Sequence, residues 1–188
     1  MTTGGVFPVD FGNRIFTPLR ARVDMLPQVL QSALNEQINY ELRSSYIYLG
    51  MAVYCRQVHL HGFAKWLEAQ SQEEYGHAMK LYRCLVAHNC KIDLHDLPTP
   101  KCEFASVLEV FQEALRHEKT VTQRIDTLYE LAHREKAYAA VVELQWFVSE
   151  QVEEEQTFGR IVGQLQVVKD DPVALLDLDR HMGSRGGE

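Results

Sequence analysis

A chain of 188 residues with ordinary hydrophobic and charged content is long enough to bury one substantial core, and it predicts one domain. Its net charge of −7 argues against nucleic acid as a partner and favours a surface that draws cations. No apolar run approaches the roughly 20 residues that span a bilayer, and the four cysteines, without C-x-x-C or zinc-ribbon spacing, read as reduced thiols of a cytoplasmic protein.

Residues 1–24 form a stretch apart. Gly4, Gly5, Pro8, Gly12 and Pro18 break any helix, and no apolar h-region precedes a small-residue cleavage site. The stretch is read as an N-terminal extension of unknown role, with the domain proper in 25–188.

From Met25 to about Arg56 runs a helical pattern, with Pro27 tolerated in its first turn. Leu30, Leu34, Ile38, Ser45, Tyr48 and Ala52 share one stripe, and Glu41 interrupts it. The turn His59-Leu60-His61-Gly62 leads into a second helix, about Phe63 to His88, striped by Leu67, Glu74, His77, Ala78, Leu81 and Leu85, with Asn89 as a left-handed stop. A connector punctuated by Pro98 and Pro100 follows. Ser106 with Glu109 then makes a capping box for the third helix, whose stripe is Phe111, Leu115, Glu118, Val121 and Ile125 and which fades near Arg134. The fourth helix, about Tyr138 to Gln166, aligns Phe147, Glu150, Gln151, Glu154, Phe158, Ile161 and Leu165. Asp171-Pro172 caps a short fifth helix ending near Gly183.

Link lengths set the topology. Short turns make the first and second helices antiparallel, and likewise the third and fourth. The middle connector, about 16 residues at about 3.3 Å each, stretches roughly 50 Å. A helix of some 26 residues is only about 39 Å long. The connector can therefore travel the length of the bundle and leave the second and third helices parallel. The expected fold is all-α: an up-down-down-up four-helix bundle with one long crossover, plus a short fifth helix.

Glu41, Glu74, Glu118 and Glu154 each occupy a core-stripe position, one per long helix. Burying an isolated carboxylate costs several kcal/mol, so four unpaired copies would protonate or destabilise the fold. A shared di- or trivalent cation explains them together. Glu74 and His77, three residues apart, lie on one helical face and reach the same small ion. Carboxylates with a single imidazole suit iron or manganese, with zinc as an intruder. Two adjacent Fe(II) ions can each pass one electron to dioxygen without releasing superoxide.

From Met25 onward the chain resembles the ferritins, and is most similar to the non-haem bacterial ones. The matching stretches are Asn35-Glu36-Gln37-Ile38-Asn39-Tyr40-Glu41, Gln72-Glu73-Glu74-Tyr75-Gly76-His77, His117-Glu118 and the run Gln145 to Glu155, on all four long helices in the family's order. The resemblance implies a first iron held by Glu41, Glu74 and His77, and a second held by Glu74, Glu118 and Glu154, with Glu74 bridging. It implies that Gln151 orients ligands and that Tyr48 stands beside the diiron site. It further implies a third iron site from Glu73, Glu150 and Glu153 with help from Glu154. Tyr75 occupies the place of the haem-ligating methionine of bacterioferritins, so no haem is expected. Gln151-x-x-Glu154 replaces the second Glu-x-x-His of bacterioferritin and rubrerythrin, and His117 gains no role.

The implied function is a ferroxidase and iron store, assembled as a homo-oligomeric shell of 24 subunits, with Val173, Leu175, Leu176 and Leu178 of the fifth helix around a symmetry axis. Acid should protonate the ligands and release iron. The rival readings are a small rubrerythrin-like diiron oxidoreductase that reduces peroxide without storage, and a shell subunit without ferroxidase activity. A DNA-protecting mini-ferritin is disfavoured because its ligands lie between subunits.

Overall fold

The structure is a computed structural model that describes residues 25–184. The N-terminal extension at 1–24 lies outside the described residues. Five helices follow one another: α1 (Gln28–Gln57), α2 (His61–Ala87), α3 (Val107–Arg134), α4 (Tyr138–Val168) and α5 (Pro172–Met182). None is long and apolar enough to cross a membrane.

Contacts between helices give their directions. Ser45 of α1 meets Ser71 of α2, and Arg56 meets Glu68, so these two run antiparallel. Gln37 reaches Arg124 and Ser44 reaches His117, so α3 also opposes α1. It follows that α2 and α3 are parallel. Thr122 with Glu155, and Phe111 with Phe158, set α4 against α3. The up-down-down-up order inferred from link lengths is the order observed.

The crossover is bound to the outside of α1 by two asparagines. Asn35 donates to the Lys91 carbonyl at 2.9 Å and accepts from the Asp93 N–H at 2.9 Å. Asn39, one turn on, donates to the Asp93 carbonyl at 2.8 Å and accepts from the His95 N–H at 2.7 Å. Two side-chain amides thus satisfy backbone groups of a loop that has no strand to pair with. Further along, the loop passes Gly50 so closely that a Cβ there would lie 2.7 Å from the Lys101 carbonyl oxygen.

Helix ends mostly follow the sequence signals. Asn89 is left-handed, with φ 53°. Ser106 accepts from the Glu109 N–H at 3.1 Å, and the Glu109 carboxylate accepts from the Ala105 N–H. Asp171 caps α5 through the N–H groups of Val173 and Ala174. Pro27 differs from expectation: it stands just before α1 and its carbonyl accepts from Leu30 and Gln31, rather than sitting in the first turn.

The start of α2 departs further. The helix begins at His61, so Gly62 lies inside its first turn, and the bend is made by left-handed His59 (φ 62°). Gly62 is needed for a different reason. A Cβ at this position would lie 1.6 Å from the backbone oxygen of Asp179 on α5. That approach lets the Asp179 carboxylate accept from the Phe63 N–H at 2.9 Å, capping a helix end that has no side-chain cap of its own. Leu175 and Leu178 pack on the core, whereas Val173 and Leu176 stay exposed.

Two apolar cores result. One, near α5, contains Tyr48, Phe63, Phe111 and Phe158; the other contains Leu34, Ile38, Ile125 and Phe147. The four core-stripe glutamates fall between them on every long helix.

The junction of α2 with α5 gives a direct expectation. Gly62→Ala must push α5 off its seat and strip Asp179 from the end of α2, at about 1–3 kcal/mol or more for overpacking. Thermal unfolding should shift down accordingly, and limited proteolysis should cut near Asp170–Asp171 faster than in the wild-type chain. Unchanged melting and unchanged cleavage would refute this docking.

Candidate metal centre

Four rods each send an acid into the layer between the two cores. Glu41, Glu74, Glu118 and Glu154 are all buried, with at most 5% of their surface exposed. The ligand atoms of Glu41, Glu74 and His77 lie within 4.8 Å of one another. His77 Nδ1 stands 3.5 Å from Glu74 Oε2, and its ring packs edge-on against Trp146 and Phe147. Glu41 Oε2 is buried with no hydrogen-bond partner. An orphaned carboxylate oxygen is costly in a dry interior unless a proton shared with a neighbour or a cation completes it.

The electrostatics repeat that message. Burial, reinforced by the Glu74 charge, pushes Glu41 up from 4.5 to about 8. Burial also raises Glu74 well above the carboxylate range, with the Glu118 charge next in effect. Glu118 rises to about 7 through burial, opposed by hydrogen bonds from Tyr48 and Gln151, and Glu154 rises to about 7 through burial, opposed by Gln70. Metal-free, the cluster holds protons near neutral pH. A cation binding there must displace them.

The residues around the acids are mostly neutral donors. Tyr48, fully buried, donates to Glu118 Oε1. Gln151 Nε2 donates to Glu118 Oε2 at 3.1 Å. Gln70 Nε2 donates at 2.9 Å to both Glu74 and Glu154, and Gln37 Nε2 donates to Glu41 at 2.8 Å. The sequence held a signal for the last two, because Gln37 and Gln70 each stand four residues before a core glutamate.

Of the residues singled out from sequence, the structure brings Glu41, Glu74 and His77 together. Glu118 and Glu154 do not join Glu74 in an equally tight group among the described residues; each instead accepts from neighbouring donors. The second close group is Glu73, Glu150 and Glu154. Of the third set expected from sequence, Glu73, Glu150 and the helper Glu154 come together, whereas Glu153, one position before Glu154, is exposed and lies outside this group. Glu154 therefore stands between the two groups.

His117, given no role from sequence, is a structural neighbour of the centre. Its Nε2 pairs with Ser44 Oγ at 2.7 Å, its ring stacks on Tyr40, and its edge meets Tyr48. Burial, with Arg43 nearby, lowers it to about 4, so it stays a neutral packing partner for Tyr48.

Comparison with known proteins follows the same lines. A ferritin-like domain model matches residues 31–168. The chain is 36% identical over 161 residues to the bacterial non-heme ferritin of Staphylococcus aureus (strain USA300), covering 86% of this chain and 97% of that protein. It is 37% identical over 161 residues to the protein of the same description from Staphylococcus haemolyticus, with the same coverage. Among solved structures, an open pore ferritin from the hyperthermophilic archaeon Archaeoglobus fulgidus superposes with a TM-score of 0.83 at 40% identity, covering 85% of this chain and 97% of that one. A humanized archaeal ferritin gives 0.84 at 41% identity, covering 85% and 98%. With its four rods, its crossover and its short terminal helix all shared at such identity, this chain belongs to the ferritin family.

Proposed function

We propose that the protein stores iron and oxidises Fe(II) to Fe(III) with dioxygen at a centre inside each subunit. The observation that carries this reading is the buried trio of Glu41, Glu74 and His77, ligand atoms within 4.8 Å, with one Glu41 oxygen left unpartnered. Hard oxygen donors with one imidazole suit Fe(II) and Fe(III) alike. Family membership supports storage as the purpose.

In this reading Glu41, Glu74 and His77 take the first Fe(II). Glu74 bridges to a second, completed by Glu118 and Glu154, with Gln151 and Tyr48 orienting Glu118. Each Fe(II) gives up one electron; dioxygen accepts the two and leaves with two protons as hydrogen peroxide. Glu73, Glu150 and Glu154 form a third station, with Glu153 at its exposed margin, from which Fe(III) passes to an oxyhydroxide mineral.

Mineral needs a container, so the reading includes a homo-oligomeric shell, 24 subunits by family likeness. Tyr46, Leu49 and Val53 of α1 are exposed large apolar residues on one helical face, which supports burial against a second copy. Four free thiols support a reducing, cytoplasmic setting.

Stopped-flow mixing of the metal-free protein with Fe(II) and oxygen should show fast oxidation that the Glu74→Ala/His77→Ala double variant loses by at least about a hundredfold, as expected for removal of direct ligands. Equal rates would sink the ferroxidase assignment. Light scattering of the native protein should give a particle of many subunits; a monomer would end the storage reading while leaving the metal centre standing.

A pH dependence follows from the raised carboxyls. Their folded values, about 7 for Glu118 and Glu154 and about 8 for Glu41, lie above the ordinary 4.5. The folded state therefore binds more protons than the unfolded one between those limits, and stability falls as pH rises. Calorimetry of the metal-free protein should show the melting temperature dropping between about pH 5 and about pH 8. Bound divalent metal should abolish that drop, and binding near neutral pH should release protons to the buffer. A metal-free protein that melts later as pH rises through this window would contradict the burial described.

A further inference from the structure

The donors that hold the core glutamates share one property: none is a cation. Among the described residues, no lysine or arginine forms an ion pair with Glu41, Glu74, Glu118 or Glu154. An ammonium or guanidinium in contact with these acids would neutralise them and repel an arriving metal ion. A carboxamide instead offers two N–H donors and no net charge.

Two carboxamides are placed by the same local rule. Gln37 with Glu41 on α1, and Gln70 with Glu74 on α2, are i, i+4 pairs on one helical face, at 2.8 Å and 2.9 Å. Gln70, fully buried, spends its nitrogen on two acids from two helices, since Glu154 of α4 also lies at 2.9 Å. Gln37, 2% exposed, is held from the other side. Arg124 Nε on α3 donates to Gln37 Oε1 at 2.9 Å, and the guanidinium lies 4.1 Å from the centre of the Tyr40 ring. Arginine has donors only, so the Gln37 carbonyl must face it and the amide nitrogen must face Glu41. The cation thus stays one residue removed from the acids and acts on them only through a neutral relay.

We propose that Gln37 and Gln70 are positioning residues that hold Glu41 and Glu74 in the converging arrangement a metal ion needs, with Gln70 also tethering Glu154 beside Glu74, and that Arg124 sets the orientation of Gln37. This deepens the metal-centre reading above and rests on it.

Titration with Co(II) under argon, followed by calorimetry and visible absorption, reads the site without oxidation chemistry. Gln70→Leu and Gln37→Leu keep the approximate shape and remove the donors. Each should weaken Co(II) binding by about tenfold or more, the usual cost of losing an outer partner of a metal ligand. Arg124→Leu, at a half-buried position, should give a smaller loss in the same direction, partly restored in Arg124→Lys. Melting of each metal-free variant separates this effect from simple destabilisation, because a folded variant with weakened binding requires a positioning role. Should Gln37→Leu fail to fold, the Arg124 pair still decides for Gln37 and Gln70→Leu decides for Gln70. Wild-type affinity in all folded variants would overturn the inference and leave the metal centre intact. Absence of Co(II) binding by the wild-type protein, or equal binding by Glu74→Ala/His77→Ala, would overturn the metal centre and this inference with it.

Discussion

Four carboxyl groups from four helices share one dry layer, and the cost of burying their charge, with their mutual repulsion added to it, is the constraint around which the bundle is arranged. Each would prefer water; burial and neighbouring charge lift them toward or past neutrality, with Glu41 at about 8. Without metal they accept protons instead of paying for full ionisation. That choice keeps the layer compact and leaves its oxygens available.

The two apolar cores make this arrangement tolerable. Tyr48, Phe63, Phe111 and Phe158 close one side of the polar layer, and Leu34, Ile38, Ile125 and Phe147 close the other. The acids are thereby shielded from bulk water, which strengthens every interaction within the layer. Tyr48 belongs to both worlds. Its ring stacks on Phe158 while its hydroxyl donates to Glu118, so a core residue carries the hydrogen bond of a buried acid. His117 braces that ring from the α3 side as a neutral imidazole, which explains why it lies beside Glu118 in sequence yet takes no ligand position.

Much of this was legible from residues alone, because the informative positions were violations of pattern. An acid at an apolar stripe position stands out on each helix, and a connector long enough to travel the bundle permits parallel second and third helices. The same logic missed what depends on distant pairing. Gly62 looks like a turn residue in sequence, but its small size serves an approach to Asp179, 117 positions away, which no local pattern encodes. Glu154 was placed on the core stripe from sequence, but three or four residues after Glu150 both Glu153 and Glu154 suit the third group, and only the folded helix shows Glu153 exposed and outside it. Gln37 and Gln70 were missed for another reason. A glutamine on a helix is ordinary, and its meaning appears only when the acid it faces is known to be buried.

That no lysine or arginine pairs with these acids among the described residues also bears on why such a layer is built from glutamate and glutamine. A buried salt bridge would satisfy each acid permanently, and a metal would then have to break it at the full cost of stranding the displaced charge. A carboxamide hydrogen bond occupies one lone pair and leaves the rest of the carboxylate free. Gln70 shows the economy of this most clearly, since one nitrogen anchors Glu74 and Glu154 on different helices while both acids keep an oxygen for another partner. Arg124 contributes its charge at one remove, through the Gln37 amide, so the outer surface of α1 and α3 can stiffen the site without competing for it. An interior organised this way is poised to exchange ions, whereas one closed by salt bridges would only be stable.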